Sequence, residues 1–334
     1  MTYSQRVRTR AKNQTNARRQ RITLLWVLIL VLAGICLYLL LWGGGKSPTP
    51  VSPVMPTVPA DAAASTEAGQ TAVPETLPEG WEWRQMSQSE LSEGTLVLVN
   101  RDYGFDPAKP RLITVYENKT DSYLVKDVYL SVRSDTMEAL NRWMDDFAAE
   151  TGCRDVNIVA GHRTYSDQDA LYDNALNNRG KEYADAYLAL PGHSEHHTGL
   201  AVDLDLYDLA TGTSSGFEGE GEYAWAVDHA WEYGFVQRYP PAKSDITGIN
   251  YESWHFRYVS RPHSDIMARE DLCLEEYIAY LRDYPFTGDH LTGEWNGQAY
   301  EIYYCPGTRI PVPVDGSYTV SGNNVDGFVV TVLR

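Results

Sequence analysis

The chain has 334 residues, and its 45 Asp and Glu residues outnumber its 28 Lys and Arg residues, so the formal net charge at pH 7 is −17. The basic residues are unevenly distributed, because seven of them lie within residues 1–21 and no acidic residue occurs before Asp61. The rest of the chain is therefore strongly acidic. This argues against nucleic acid as a partner, since binding to a phosphate backbone needs clustered Lys and Arg.

A basic segment and an apolar segment follow each other at the N-terminus. Residues 1–21 carry the positive charge, and residues 22–42 form a run of 21 residues without a charge. A helix of that length spans a hydrocarbon core of about 30 Å, and flanking positive charge favours the cytoplasmic side. We therefore expect a single-pass membrane anchor with the N-terminus in the cytoplasm and the rest of the chain outside. A cleaved signal peptide is the alternative, but its apolar region is usually shorter.

Composition divides the remaining chain into three parts. Residues 43–78 are rich in Pro, Ala, Thr, Ser and Gly, and we expect a disordered linker because such a segment buries too little apolar surface to fold. Aromatic residues return at Trp81 and Trp83, so a folded domain is expected over residues 79–284. Residues 285–334 are rich in Gly, Pro, Tyr and Val with turn signals, which predicts a small β-rich appendage.

Periodicity and capping signals predict the helices and strands of the domain. A helix is expected to begin at Ser134, which can cap it, and to end at Gly152. Another helix is expected to begin at Ser166, because Ser166 and Asp169 have the spacing of a capping box. The other predicted elements are strands at residues 95–100, 156–160 and 199–206, and a helix at residues 223–232 that Gly234 ends.

Two short segments carry side chains that could hold a metal ion. Catalytic zinc uses three protein ligands, often imidazole and carboxylate, and leaves one position for water. His196 enters from a loop and is followed seven residues later by Asp203, on a predicted strand. His255 could complete the set, with Glu252 close enough to take a proton from the bound water. Because Glu252 and His255 are three residues apart, a bend is needed for both to face one site.

These segments resemble the motifs of the zinc D-alanyl-D-alanine carboxypeptidases of the VanY kind, which share a fold with the hedgehog signalling domain. The pattern Ser-x-His-x-x-Gly-x-Ala-x-Asp is matched from Ser194 to Asp203, and Glu-x-Trp-His-Phe-Arg-Tyr-Val is matched from Glu252 to Val259. A Gly-Tyr-Arg-Ser motif is met by residues 161–164, where His162 departs from the usual aromatic residue. The resemblance covers roughly residues 90–283.

The resemblance implies an α+β domain of the hedgehog/DD-peptidase kind that acts as a zinc carboxypeptidase. The implied substrate is the C-terminal D-alanine of peptidoglycan stem peptides, and the implied Zn²⁺ ligands are His196, Asp203 and His255. Glu252 would act as general base and then as acid, and Arg163 would hold the scissile carbonyl oxygen as charge develops on it. Ser194 and Gln168 are expected to orient the terminal carboxylate or amide of the substrate.

The polar residues next to these motifs have simpler interpretations. His193 and His197 are expected to support the ligand between them or to be exposed, and Asp205 is expected to accept a hydrogen bond near the site.

Two other functions stay open. An L,D-carboxypeptidase that acts on tetrapeptide stems would share these motifs. A non-catalytic cell-wall binding protein is the alternative from another class, and the presence of all four residues of the predicted centre argues against it.

Overall fold

The computed structural model describes residues 76–105 and 110–334. The predicted basic segment (1–21) and membrane anchor (22–42) lie outside these residues, as does the predicted linker (43–78) except for its last three residues. Among the described residues, no helix is both long and apolar enough to cross a membrane.

Helices and strands alternate through most of the described chain, and the described residues beyond 290 form strands. The α-helices there are α1 (Val115–Asn118), α2 (Ser134–Thr151), α3 (Tyr165–Arg179), α4 (Lys181–Tyr187), α5 (Ala224–His229), α6 (Ser244–Thr247), α7 (His263–Arg269) and α8 (Leu274–Leu281). The strands are β1 (Trp81–Gln85), β2 (Leu112–Thr114), β3 (Leu124–Val125), β4 (Ser131–Arg133), β5 (Val156–Ala160), β6 (Ala201–Asp208), β7 (Thr213–Gly216), β8 (Phe235–Gln237), β9 (His255–Tyr258), β10 (Leu291–Trp295), β11 (Gln298–Pro306), β12 (Arg309–Pro313), β13 (Ser317–Gly322) and β14 (Gly327–Leu333).

The largest sheet lies at the centre of the fold. Its strands run in the order β3-β5-β6-β9-β8, with β7 added to β6. Strand β3 is parallel to β5, and the other pairs are antiparallel. Pairing of β6 with β9 places Asp203 opposite His255, and pairing of β5 with β6 places Ala160 opposite Asp203. The sheet therefore brings together three segments that are far apart in the sequence.

Helix α2 packs against this sheet through its apolar side. Four apolar residues at helical spacing are all buried and belong to the largest core cluster: Met137, Leu140, Met144 and Phe147. Trp143 adds an edge-to-face contact with Phe256 of β9, with ring centroids 4.9 Å apart. The helix ends where predicted, at Gly152, whose φ of 79° is in the left-handed region.

The C-terminal strands are joined to the domain rather than set apart from it. Strands β10, β11, β14 and β13 form an antiparallel sheet, and β12 pairs with β1 from the other end of the described chain. A second core cluster combines residues of both parts, including Leu96, Ile266, Leu274, Ile302 and Val329. Strand pairing and apolar packing therefore cross the predicted boundary between residues 284 and 285.

Several predicted elements differ in detail from the structure. Residues 95–100 are mostly buried but form no strand, because their backbone groups bond to other partners: Leu96 N donates to Ser321 Oγ and Leu98 N to Asn323 O. Helix α3 begins one residue before Ser166, and its capping box uses Thr164 and Asp167 instead of the predicted pair. The predicted helix at 223–232 is α5 followed by a 3-10 turn that Gly234 ends.

Candidate metal centre and active site

Three elements of the fold position the predicted metal ligands. His196 lies on a 3-10 turn, Glu195–Thr198, directly before β6, and Ser194 Oγ caps this turn by accepting a hydrogen bond from His196 N at 3.4 Å. Asp203 lies on β6 and His255 is the first residue of β9. Because paired residues of antiparallel strands present their side chains on the same face, Asp203 and His255 meet.

The ligand atoms of His196, Asp203 and His255 form one compact group, in which they all lie within 4.8 Å of one another. His196 Nε2 is 3.2 Å from Asp203 Oδ2, and His255 Nδ1 is 2.8 Å from Asp203 Oδ1. Ligands of a tetrahedral zinc ion, at about 2.0–2.1 Å from the metal, lie about 3.3 Å from each other. Two imidazoles and one carboxylate at this spacing therefore fit zinc, with a coordination position left for water.

Two glycines permit the close approach of the segments that hold His196. Gly161 O accepts a hydrogen bond from His196 Nδ1 at 2.6 Å, which leaves Nε2 with its lone pair toward Asp203. A Cβ at residue 161 would lie 2.4 Å from Ser131 O, so a side chain cannot be accommodated there without a backbone shift. Gly199 turns the chain into β6 with a φ of 70°, and a Cβ there would lie 2.8 Å from Leu112 Cδ2.

The charges within the group favour an ionised aspartate. Burial opposes ionisation of Asp203, but the two imidazoles outweigh it and hold the pKa of Asp203 well below its usual value. Burial lowers the pKa of His196. Burial also acts to lower the pKa of His255, but hydrogen bonds to Asp203 and Glu195 raise it to about 9. In the metal-free protein at neutral pH, His255 therefore holds a proton that a metal ion must displace.

Glu252 lies in the turn directly before β9, where its carbonyl accepts a hydrogen bond from His255 N at 3.4 Å. This turn supplies the bend that the spacing of Glu252 and His255 requires. The side chain lines the same cavity as the three ligands, and burial raises the pKa of Glu252 to about 8. A carboxyl group whose pKa is close to neutral pH can both take and return a proton.

Arg163 stands beside the metal group. Its Nη2 lies 3.7 Å from Asp203 Oδ2, and its Nη1 donates to Gln168 Oε1 at 2.7 Å. Gln168 is itself buried and donates from Nε2 to Ala189 O at 2.7 Å. Gln168 thus holds the guanidinium of Arg163 in place, a contact that the sequence did not indicate.

The flanking histidines bond to the backbone rather than to the metal group. His193 Nδ1 lies 2.8 Å from Asn100 O. His197 uses both ring nitrogens, with Nδ1 2.8 Å from Arg163 O and Nε2 accepting from Gly192 N at 3.0 Å. Asp205 Oδ1 accepts from Asn157 Nδ2 at 2.8 Å. All three residues therefore support neighbouring loops and strands.

Sequence reasoning missed a buried ion-pair cluster beneath the site. The cluster consists of Glu195, Arg238, Arg257 and Glu275, and the side chains of Glu195, Arg238 and Arg257 are 0% exposed. Charged residues are rarely buried completely unless they are paired. The signal in the sequence was the position of Arg257 between two aromatic residues of β9, which places a charge on a strand buried in the core.

A cavity of about 320 Å³ opens over the metal group. Tyr183, Tyr187, Tyr239 and Trp254 contribute aromatic walls, and the Lys and Arg residues among its described lining are Lys126 and Arg163. The Lys126 side chain makes no salt bridge to an acid within residues 76–105 and 110–334. The cavity therefore presents the ammonium group of Lys126 as well as the guanidinium beside Asp203.

Comparison with known proteins finds consistent similarities. A family model described as VanY, D-alanyl-D-alanine carboxypeptidase, matches residues 130–261. The chain is 33% identical over 259 residues to a D-alanyl-D-alanine carboxypeptidase of Enterococcus faecium, covering 75% of this chain and 78% of that one. It is 33% identical to the solved vancomycin-resistance D,D-dipeptidase VanXYg in complex with a D-Ala-D-Ala phosphinate analogue, with a TM-score of 0.68, covering 76% of this chain and 99% of that one.

A more partial similarity is found to the vancomycin-resistance D,D-pentapeptidase VanY of a VanB-type cassette, which was solved in complex with Zn(II). The identity is 28%, the TM-score is 0.47, and the match covers 56% of this chain and 99% of that one.

Proposed function

The chain belongs to the VanY family of D-alanyl-D-alanine carboxypeptidases, and on this basis we propose that it is a zinc-dependent enzyme that removes the C-terminal D-alanine from peptidoglycan stem peptides. The observation that carries the proposal is the compact group of His196, Asp203 and His255, at the floor of a cavity that also contains Glu252 and Arg163. These are the components that a metal-assisted hydrolysis of an amide needs.

Each residue of the site has a separate role in hydrolysis. His196, Asp203 and His255 would hold the zinc ion, which when bound polarises the carbonyl group and lowers the pKa of a water molecule to about 7. Glu252 takes a proton from the attacking water and delivers it to the nitrogen of the leaving D-alanine. Its raised pKa suits both steps, because the same carboxyl group must exchange a proton near neutral pH.

Arg163 stabilises the negative charge that develops on the scissile carbonyl oxygen. Its guanidinium is held by Gln168, so it is in position before the reaction begins and loses little freedom when the charge appears. Ser194 contributes by capping the turn that carries His196. Its hydroxyl and the amide of Gln168 also line the cavity, where they can contact the substrate.

Lys126 is suited to the free carboxylate of the stem peptide. A carboxypeptidase must recognise that its substrate ends at the leaving residue, and the terminal carboxylate carries a full negative charge. Ser194 and Gln168 are neutral and largely buried, whereas Lys126 is an exposed cation at the cavity. A charge-assisted hydrogen bond from its ammonium group would bind the carboxylate in an otherwise acidic protein.

We place the catalytic domain outside the cytoplasmic membrane, where stem peptides occur. The proposal rests on the uncharged segment 22–42 and the seven basic residues before it, which together favour a single-pass anchor. The segment 43–78 would then separate the anchor from the domain by a flexible linker.

The proposal is tested by incubating the full-length protein with purified pentapeptide and tetrapeptide muropeptides, with and without a chelator, and measuring product masses. We expect the pentapeptide to lose one alanine, the tetrapeptide to stay intact, and the chelator to stop the reaction. Loss of alanine from the tetrapeptide alone would establish the L,D-specificity instead. An unchanged pentapeptide with zinc present would contradict the proposal.

A further inference from the structure

Glu195 lies on the side of His255 that faces away from Asp203. Glu195 Oε1 accepts two hydrogen bonds, from Arg238 Nε at 2.8 Å and from Arg257 Nη1 at 2.6 Å. Its other oxygen, Oε2, lies 3.4 Å from His255 Nε2. The imidazole of His255 is therefore held between two carboxylates, Asp203 at Nδ1 and Glu195 at Nε2.

The way in which the two oxygens of Glu195 share its hydrogen bonds determines which nitrogen of His255 can bind a metal. Both guanidinium donors occupy Oε1 of Glu195, so Oε2 is left to accept a hydrogen bond from the imidazole. Since a carboxylate only accepts, His255 must carry a proton on Nε2 to bond to Glu195, and Nδ1, which faces Asp203, is the nitrogen whose proton a metal ion displaces. We propose that Glu195 is a positioning residue that fixes the Nε2-protonated form of His255 and thereby presents Nδ1 to the zinc ion.

The two arginines keep Glu195 from turning. Arg257 Nη2 donates to the carbonyls of Thr95 and Val97, at 2.9 and 2.8 Å, so the guanidinium has one fixed orientation. Arg238 makes two further hydrogen bonds to Glu275 of α8, at 2.9 and 2.7 Å. Two guanidinium groups and two carboxylates balance in charge, so the cluster can be buried and can hold His255 rigidly.

The inference rests on the proposed zinc site and is tested first by replacing Glu195 with Gln. The amide oxygen of Gln would face the two guanidinium groups, which can only donate, so its NH₂ group would face His255 Nε2. That contact favours the form protonated on Nδ1, where the metal should bind. Outer contacts of metal-binding histidines contribute roughly 10-fold to 100-fold to metal affinity, and we expect a loss of that size in Glu195→Gln.

Glu275→Gln is the matched control, because it also removes one carboxylate from the cluster but does not contact His255. Both variants are expected to unfold more easily than the wild type, since each removes one of the two negative charges that balance the buried guanidinium groups. Zinc affinity, measured by competition with a chromophoric chelator on the full chain, should fall only in Glu195→Gln. Equal zinc affinity in the folded Glu195→Gln protein and the wild type would overturn the inference.

A measurement on the wild type decides the matter even where Glu195→Gln does not fold. The full chain is labelled with ¹⁵N-histidine and loaded with ¹¹³Cd, and the metal–nitrogen couplings are read by NMR, with signals assigned through a His255→Gln protein. We expect cadmium to couple to Nδ1 of His255, with a proton on its Nε2. Coupling to Nε2 of His255 would refute the inference. Neither readout depends on the peptide cleaved, so a failure of the proposed substrate would be seen separately.

Discussion

Replacing Glu252 by Gln should stabilise the metal-free protein while it removes the proton carrier of the reaction. Burial raises the pKa of Glu252 to about 8, whereas the unfolded chain has an ordinary value of about 4.3. Between these pH values the folded protein retains a proton that the unfolded chain has released, so the stability of the wild type falls as the pH rises. One pKa unit corresponds to about 1.4 kcal/mol, so the loss reaches about 5 kcal/mol at pH 8.

The assay is urea denaturation of chelator-treated wild-type and Glu252→Gln protein at pH 5 and pH 8. Gln does not ionise, so the stability difference in favour of the variant should grow by several kcal/mol between the two pH values. Titrating groups that do not interact with Glu252 contribute equally to both proteins and cancel in the difference. Glu275→Gln is a control without this pH dependence, because Arg238 outweighs burial and lowers the pKa of Glu275, so that carboxyl group is ionised in the folded and the unfolded protein at both pH values. Parallel stability profiles for wild type and Glu252→Gln would refute the reasoning.

Three further predictions concern metal, substrate and backbone. Zinc binding at pH 7 should release at least one proton, because the pKa of His255 is about 9 before the metal binds. Calorimetry in two buffers of different ionisation enthalpy measures the number of protons released. Equal zinc affinity at pH 6 and pH 8 would contradict the prediction. Lys126→Met should raise KM for the pentapeptide by roughly tenfold or more at nearly constant kcat, and Lys126→Arg should not, as steady-state kinetics would show. Gly161→Ala should lower both Tm and zinc affinity, since its Cβ meets Ser131 O at 2.4 Å; unchanged values would mean that the carbonyl of residue 161 does not orient His196.

The metal group could be anticipated from the sequence because its residues lie in two short segments. His196 lies on a turn and Asp203 on the strand that follows it, so their spacing depends only on local structure. The meeting of Asp203 with His255 is not local, since it depends on the pairing of β6 with β9. The resemblance to a family supplied that long-range information, and the strand register accounts for it physically.

Other features could not be predicted because they depend on partners distant in the sequence. Residues 95–100 have the composition of a strand, but Arg257 and Ser321 take hydrogen-bonding groups that a neighbouring strand would otherwise use. The role of Glu195 is similar, because neither arginine that holds it lies within 40 residues along the chain. Local pattern therefore indicated which residues carry the chemistry, and tertiary contacts determined how those residues are held.

The most direct test of the account is the zinc content of the full-length protein and two variants after dialysis against a weak chelator. Asp203→Ala removes the carboxylate that lies between the two imidazoles. His197→Ala instead removes a histidine that is next to a ligand in the sequence but whose ring nitrogens form hydrogen bonds with backbone groups. We predict one zinc ion per chain in the wild type and in His197→Ala, and none in Asp203→Ala. Zinc retained in full by Asp203→Ala would contradict the proposed centre.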